Sequence, residues 1–133
     1  MIPILAALAG AAAAAGAIWV MLREGMLRER SGLAVLLIAV AVFYPVFAAA
    51  SGDVLAIALH GAIFAAFGAL ALRGFRRGTF LLAGGLIAHG IFDVATGLIS
   101  APGPAWWPAF CAAFDIVAGI LILRLIQTGK VPQ

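Results

Sequence analysis

The chain has 133 residues, of which 66% are hydrophobic and only 10% are charged, and its mean hydropathy is +1.23. A soluble domain carries about 25% charged residues, and a disordered chain combines low hydrophobicity with high charge, so this composition excludes both classes. Eight basic against five acidic residues give a net charge of +3, which in a membrane protein first sets orientation and does not indicate a nucleic-acid partner.

Charged clusters and turn residues divide the chain into five apolar runs, each near the ~20 residues that cross a bilayer. The dividing segments are Arg23–Arg30, Ser51-Gly52-Asp53, residues 73–78 and the Pro/Gly-rich segment Ser100–Pro108. The sequence therefore predicts an all-α integral membrane protein, a five-helix transmembrane bundle that forms one domain over residues 1–133. The predicted helices are residues 2–22, 32–50, 54–72, 79–99 and 109–127.

The first run has an alternative interpretation as a cleaved signal peptide over residues 1–17. No basic residue precedes the apolar run, however, and the basic cluster follows it at Arg23. We therefore interpret the Ala/Gly-rich stretch Gly10–Gly16 as a helix surface for close packing, because small residues let membrane helices approach each other.

The second run contains Pro45, which has no backbone N–H and so leaves the Ala41 carbonyl unpaired. Interrupted helical backbone is tolerated in a membrane where it faces protein or a cavity.

The basic residues predict the orientation of the bundle. With five spans, every Lys and Arg falls on one side of the membrane, as the positive-inside rule expects. The N-terminus should face outward and the C-terminus the cytoplasm, with Trp106 and Trp107 at the outer interface and Trp19 near the inner one; a bacterial inner membrane is the expected location. The basic residues are Arg23, Arg28, Arg30, Arg73, Arg76, Arg77, Arg124 and Lys130.

Four of the spans place a hydrogen-bonding side chain in one layer. At a rise of about 1.5 Å per residue, Tyr44, His60, Asp93 and Asp115 each lie about 9–10 Å below the outer end of their helix. His89 lies one turn deeper than Asp93 and, four residues away, shares its helix face.

An Asp at a helix centre costs about 2.5–3.5 kcal/mol on insertion scales, so these carboxyls should turn inward. We expect Asp93 to bond His89 or His60, and Asp115 to bond Tyr44 or a histidine. Intramembrane ionisable residues of this kind indicate a functional site. A purely structural hydrogen-bonded clasp is the alternative.

The segments His89-Gly-Ile-Phe-Asp93 and Cys111-Ala-Ala-Phe-Asp115 give the sequence a resemblance to a small bacterial multi-pass membrane family of unknown function, over about residues 30–125. The resemblance implies the helical architecture and the polar layer but names no reaction. Members of that family carry further histidines just after the first Asp, where this chain has Ala95 and Thr96, which weakens the case for carrying over a metal site.

Three functions remain open on this sequence. The first is an acid–base enzyme, an isomerase, cyclase or hydratase acting on a lipophilic substrate such as an isoprenoid, a sterol or a lipid. Asp93 or Asp115 would be the general acid, His89 would orient it or act as base, and His60 and Tyr44 would complete the site.

The second function is proton-coupled or metal-ion transport, because membrane Asp/His chains mark proton and cation paths. The third is a non-catalytic subunit of a homo-oligomer or of a larger membrane complex. We assign no cofactor and no bound metal from the sequence. Retinal would need an intramembrane lysine, whereas the only lysine is Lys130. Bis-His haem would need His60 and His89 at the same depth, but their expected depths differ by roughly 6 Å.

Overall fold

The computed structural model describes residues 1–99 and 102–133; Ser100 and Ala101, at the start of the predicted outer loop, lie outside the described residues. The described residues are all-helical, without strands. Taken with α2 and α3 as one segment, Ser31–Ser51, five helices are long and apolar enough to cross a membrane, which confirms the predicted all-α architecture and the predicted number of apolar helices. The helices are α1 (Ile2–Arg23), α2 (Ser31–Ala41), α3 (Phe43–Ser51), α4 (Val54–Arg77), α5 (Thr79–Leu98) and α6 (Trp107–Gln127).

The division between α2 and α3 follows from Pro45. Its nitrogen carries no hydrogen and so cannot donate a hydrogen bond to the Ala41 carbonyl. The helix is interrupted at Val42. Val42 itself keeps helical backbone angles (φ −76°, ψ −18°), and its carbonyl accepts from the Val46 N–H at 3.2 Å. The predicted interruption is therefore confirmed, and it divides one span rather than creating two.

Two predicted helix boundaries are wrong. The third helix does not end at residue 72 but continues as α4 to Arg77, because Arg is a good helix former and cations at a C-terminus are favoured by the helix dipole. The last helix begins at Trp107 rather than at residue 109, because Pro108 is tolerated in a first turn, where no N–H is needed. The other boundaries agree to within one residue.

Helix α6 lies between α1 and α5, while α4 and α2 pack on other faces of α5. The buried residues of α1 recur mainly at every fourth position: Gly10, Ala14, Ile18 and Met21. A Cβ added at Gly10 would lie only 2.1 Å from the carbonyl oxygen of Phe110, so the small residues of α1 are what let α6 approach. Gly10 and Ala14 of the Ala/Gly stretch are thus buried inside the chain, whereas Ala12, Ala13, Ala15 and Gly16 are exposed.

The basic segments meet at one end of the molecule, which we call the basic face. It consists of the 23–30 loop, the α4/α5 junction and the residues after α6. The Arg30 guanidinium donates a hydrogen bond to the Gln133 carbonyl, and Gly78 also lies against Gln133. Short connections between antiparallel helices bring these segments together.

Candidate functional site

The polar residues of the bundle interior are positioned by the contact between α5 and α6. Gly90 makes this contact close: a Cβ there would lie 2.7 Å from Ile116 Cγ1, 3.0 Å from the Ala112 carbonyl oxygen and 3.2 Å from Asp115 Cβ. Because residue 90 has no side chain, α6 approaches α5 until Asp115 reaches His89.

His89, Asp93 and Asp115 form a cluster that we call the Asp–His–Asp cluster. The Nδ1 atom of His89 lies 2.7 Å from Asp115 Oδ2 and 3.3 Å from Asp93 Oδ2. Only the contact with Asp115 has the geometry of a hydrogen bond. The side chains are 0–1% exposed, and the edge-to-face ring of Phe67, with its centroid 4.8 Å from that of His89, packs on the imidazole.

Most of the carboxyl oxygens in this cluster have no hydrogen-bond partner. They are both oxygens of Asp93 and Oδ1 of Asp115, and none of them is exposed. Buried polar atoms are nearly always satisfied by protein, water or an ion, and unsatisfied ones are costly in a low-dielectric interior. The free carboxyl oxygens of the cluster can therefore bind a proton, a water molecule, a cation or a hydrogen-bond donor of a substrate.

A second hydrogen-bonded chain reaches the cluster from α3. The Thr96 hydroxyl donates a hydrogen bond to the Asp93 backbone carbonyl at 2.9 Å. The Thr96 hydroxyl oxygen also lies 2.9 Å from the Tyr44 hydroxyl oxygen. Because a threonine hydroxyl has one hydrogen, Tyr44 must donate to Thr96. The phenol is thereby directed at the turn of α5 that carries Asp93.

Each carboxyl was predicted to bond one of two partners, and the structure selects one partner for each. Asp115 bonds His89 rather than Tyr44, and Asp93 contacts His89 rather than His60. The His60 ring instead stacks on Tyr44, with ring centroids 5.4 Å apart and planes 18° apart, and its Nδ1 atom is buried without a hydrogen-bond partner. The face shared by His89 and Asp93, by contrast, is confirmed by their contact.

The structure thus brings three of the five predicted site residues together and places Tyr44 and His60 beside them as an aromatic pair. Phe92 lies edge-on to Tyr44, with ring centroids 5.6 Å apart, and its ring centroid is 5.8 Å from that of His89, so it contacts both the pair and the cluster. Cys111, one turn before Asp115, is buried and acts as a packing residue.

An open groove of about 210 Å³ adjoins the cluster on the surface between α5 and α6. Asp93 is its only ionisable lining residue, and small or apolar residues form the remainder. They are Val94, Gly97, Pro108, Ala109 and Ala112.

An aromatic group packs at the end of the bundle opposite the basic face. Trp107 stands 4.5 Å from Phe43 and 5.4 Å from Phe47 between ring centroids, so it fills the bundle end, while Trp106 is 41% exposed. Trp19, near the basic face, is 57% exposed.

Reasoning from the sequence missed Thr96 and Gly90 as site residues. Thr96 had a signal, since it lies three residues after Asp93, the spacing at which a threonine hydroxyl can bond a preceding carbonyl. Gly90 had none, because only the position of α6 shows that residue 90 must lack a side chain.

Ligand atoms of all three cluster residues lie within 4.8 Å of one another, so one imidazole nitrogen and two carboxylates could hold a metal ion. The same groups could also hold and transfer a proton. Comparisons with protein-family models, curated proteins and solved structures found no significant match. The resemblance based on the two spacings gains no support from them, and the function rests on the site alone.

Proposed function

We propose that the chain is a membrane enzyme of acid–base type, whose lipophilic substrate enters from the bilayer through the groove between α5 and α6. The observation that carries the proposal is the position of Asp93. This residue belongs to the Asp–His–Asp cluster and also lines the groove, and neither of its carboxyl oxygens has a hydrogen-bond partner.

In this proposal Asp93 delivers a proton to one carbon of a carbon–carbon double bond, and His89 removes a proton from the carbon on the other side of the resulting cationic carbon. The proton then returns from His89 to Asp93, whose carboxyl lies 3.3 Å from the imidazole, so that both residues regain their starting states. Asp115 holds the imidazole at 2.7 Å and stabilises it when it is charged. The result is an isomerised double bond, a reaction that needs no oxidant and no second substrate. Cyclisation or hydration of an isoprenoid, a sterol or a lipid would begin with the same protonation.

Access to Asp93 requires the helix contact to open slightly, because its carboxyl oxygens have no exposed surface. The groove residues beside it favour such an opening, since Gly97, Ala109 and Ala112 present little side chain to displace.

The test is incorporation of solvent deuterium into lipid carbon. The full chain, reconstituted in nanodiscs in D₂O with a total lipid extract of the host cells, should introduce deuterium at non-exchangeable positions, detected by mass spectrometry. Asp93→Asn should slow the labelling at least about 100-fold, the usual contribution of a general acid. Asp53→Asn is the matched control, because Asp53 caps α4 through the Leu55 and Ala56 N–H groups and asparagine caps equally well. Labelling by Asp93→Asn at the parent rate would refute the proposal.

A second candidate is divalent-cation binding in a transport or ion-handling role. It is favoured because potential metal-ligand atoms of His89, Asp93 and Asp115 lie within 4.8 Å of one another. Two carboxylates and one neutral imidazole would neutralise a dication, so the buried site would carry no net charge. Mixed nitrogen and carboxylate ligands suit Mn²⁺, Fe²⁺ or Zn²⁺.

Equilibrium dialysis against Mn²⁺ or Zn²⁺, followed by elemental analysis, tests the cation candidate. One ion per chain is expected, lost in His89→Ala and retained in the control His60→Ala, whose ring stacks on Tyr44 outside the cluster. Equal metal content in the two variants would contradict this site. Deuterium labelling that survives a chelator would separate acid–base chemistry from metal-dependent chemistry.

We further propose that the basic face is cytoplasmic and the N-terminus external, in a bacterial inner membrane. The gathering of the basic segments at one end supports this orientation under the positive-inside rule. The third function, a non-catalytic subunit, would use the exposed small residues of α1, because Gly10 already packs against α6 of the same chain; these exposed residues are Ala12, Ala13, Ala15 and Gly16.

A further inference from the structure

A second groove, of about 360 Å³, lies between α1 and α6 and ends at the basic face. No residue of the Asp–His–Asp cluster lines it, and it is formed by the last turns of the two helices. Its walls are apolar, and two cations stand at its end. The residues that define it are Trp19, Leu22, Leu121, Leu125, Arg124 and Lys130.

The two cations have no ion-pair partner among residues 1–99 and 102–133. In the part of the chain that the structure describes, the ion pairs all involve His89, so neither Arg124 nor Lys130 is paired with a carboxylate. Both side chains are exposed. Other basic residues nearby are engaged differently: Arg23 stacks 5.0 Å from the Trp19 ring centroid, and Arg30 bonds the Gln133 carbonyl.

Trp19 marks the level of this groove in the membrane. Its ring is 57% exposed and carries a cation on its face, an arrangement suited to the interface between acyl chains and headgroups. The apolar walls of the groove thus extend toward the hydrocarbon and its charged end toward the headgroups.

We infer that this groove binds one anionic phospholipid, with an acyl chain along Leu22, Leu121 and Leu125 and the phosphate between Arg124 and Lys130. Charge complementarity selects an anionic headgroup over a zwitterionic one, because two unpaired cations in one place attract a net negative charge. The apolar walls require a lipid and not a free phosphate, since only a lipid covers them. The inference is independent of the proposed catalytic function.

The test uses the full chain in a neutral detergent, with phosphatidylglycerol carrying brominated acyl chains, which quench tryptophan fluorescence on contact. The difference in quenching between the parent protein and Trp19→Phe isolates Trp19 from the two tryptophans at the opposite end. We expect saturable quenching of Trp19 by phosphatidylglycerol and at least about tenfold weaker binding of phosphatidylcholine with the same chains. The double variant Arg124→Gln/Lys130→Gln should lose this preference.

The matched control is Arg73→Gln/Arg76→Gln, which removes the same charge from exposed positions at the end of α4, outside the groove. It should keep the preference to within about twofold, because long-range attraction alone is weak near a screened surface. An equal loss in both double variants would reduce the effect to diffuse charge and overturn the site. So would equal binding of the two lipids, displacement by soluble glycerol phosphate at the same concentration, or a dimer that hides Trp19 from both lipids.

Discussion

At the scale of single residues, the hydrogen bonds of the interior differ in what their removal leaves behind. Tyr44 donates to Thr96, and Thr96 donates to the Asp93 carbonyl. Removing the phenol hydroxyl leaves Thr96 with its own acceptor, whereas removing the threonine hydroxyl leaves a buried phenol without any partner. The two ends of this chain are therefore not equivalent.

We predict that Tyr44→Phe destabilises the protein by about 0.6 kcal/mol and by no more than about 1.7 kcal/mol, the average and the maximum measured for hydrogen bonds between membrane helices. Thr96→Val should cost more, because an unsatisfied buried hydroxyl adds about 1–3 kcal/mol. Unfolding in mixed micelles or by steric trapping in bicelles would measure both. The double variant should cost less than the sum, and strict additivity would contradict the hydrogen-bonded chain.

The sequence predicted the contact of His89 with Asp93 because both lie on one helix, where spacing alone fixes the shared face. It also predicted that Asp115 would meet a histidine. It did not predict the stacking of His60 on Tyr44, because the rotation of one helix relative to another depends on packing. Here the ring of Phe92 packs near both Tyr44 and His89, and no spacing in the sequence specifies that.

At the scale of helices, glycines set the approach of α6 to α5. Gly90 faces Asp115 and the Ala112 carbonyl, whereas Gly84, on the same helix, is exposed and has no neighbouring atom within 4 Å of an added Cβ. The same substitution should therefore have opposite effects at these two positions.

We predict that Gly90→Ala costs about 1–3 kcal/mol, because the added methyl overpacks the contact and separates α6 from α5. It should also lengthen the contact between His89 and Asp115 and lower any activity of the cluster. Gly84→Ala should stabilise α5 by up to about 1 kcal/mol through helix propensity. Unfolding free energies measured side by side in one lipid would decide, and equal effects of the two changes would refute the close-packing role of Gly90.

The sequence predicts a helix end accurately where a turn-forming residue ends the helix. It predicts the end less accurately where charged residues are the only signal. Gly78 and the Ser51-Gly52-Asp53 turn were placed correctly, since glycine and an N-capping aspartate end and begin helices by local geometry. At Arg73 the sequence predicts the end of a span, because a charged residue marks the point where the chain leaves the hydrocarbon. Hydropathy reports where a helix leaves the membrane, however, and not where its hydrogen bonds stop, and α4 continues to Arg77.

At the scale of the whole molecule, the proposed orientation rests on the gathering of the basic residues at one end. Replacing the buried Cys111 by alanine gives a background for single reporter cysteines. Ser51→Cys lies at the opposite end, and Glu29→Cys lies in the loop of the basic face; both positions are exposed.

We predict that a membrane-impermeant maleimide labels Ser51→Cys in intact bacterial cells and labels Glu29→Cys only after lysis. The reason is that basic loops are retained on the cytoplasmic side. The reverse pattern would contradict the orientation while leaving the five-span fold untouched, and labelling of both positions in intact cells would indicate mixed insertion.

The packing of α1 against α6 joins the first helix of the described chain to the last. During synthesis α1 enters the bilayer long before its partner exists, and Asp93 likewise enters before Asp115. Until α6 enters the membrane, lipid or the insertion machinery must cover the surface of α1 around Gly10 and must shield the Asp93 carboxyl. The entry of α6 therefore completes both contacts in one late step. Slower translation before that step lengthens the time during which α1 and Asp93 lack their partners in α6.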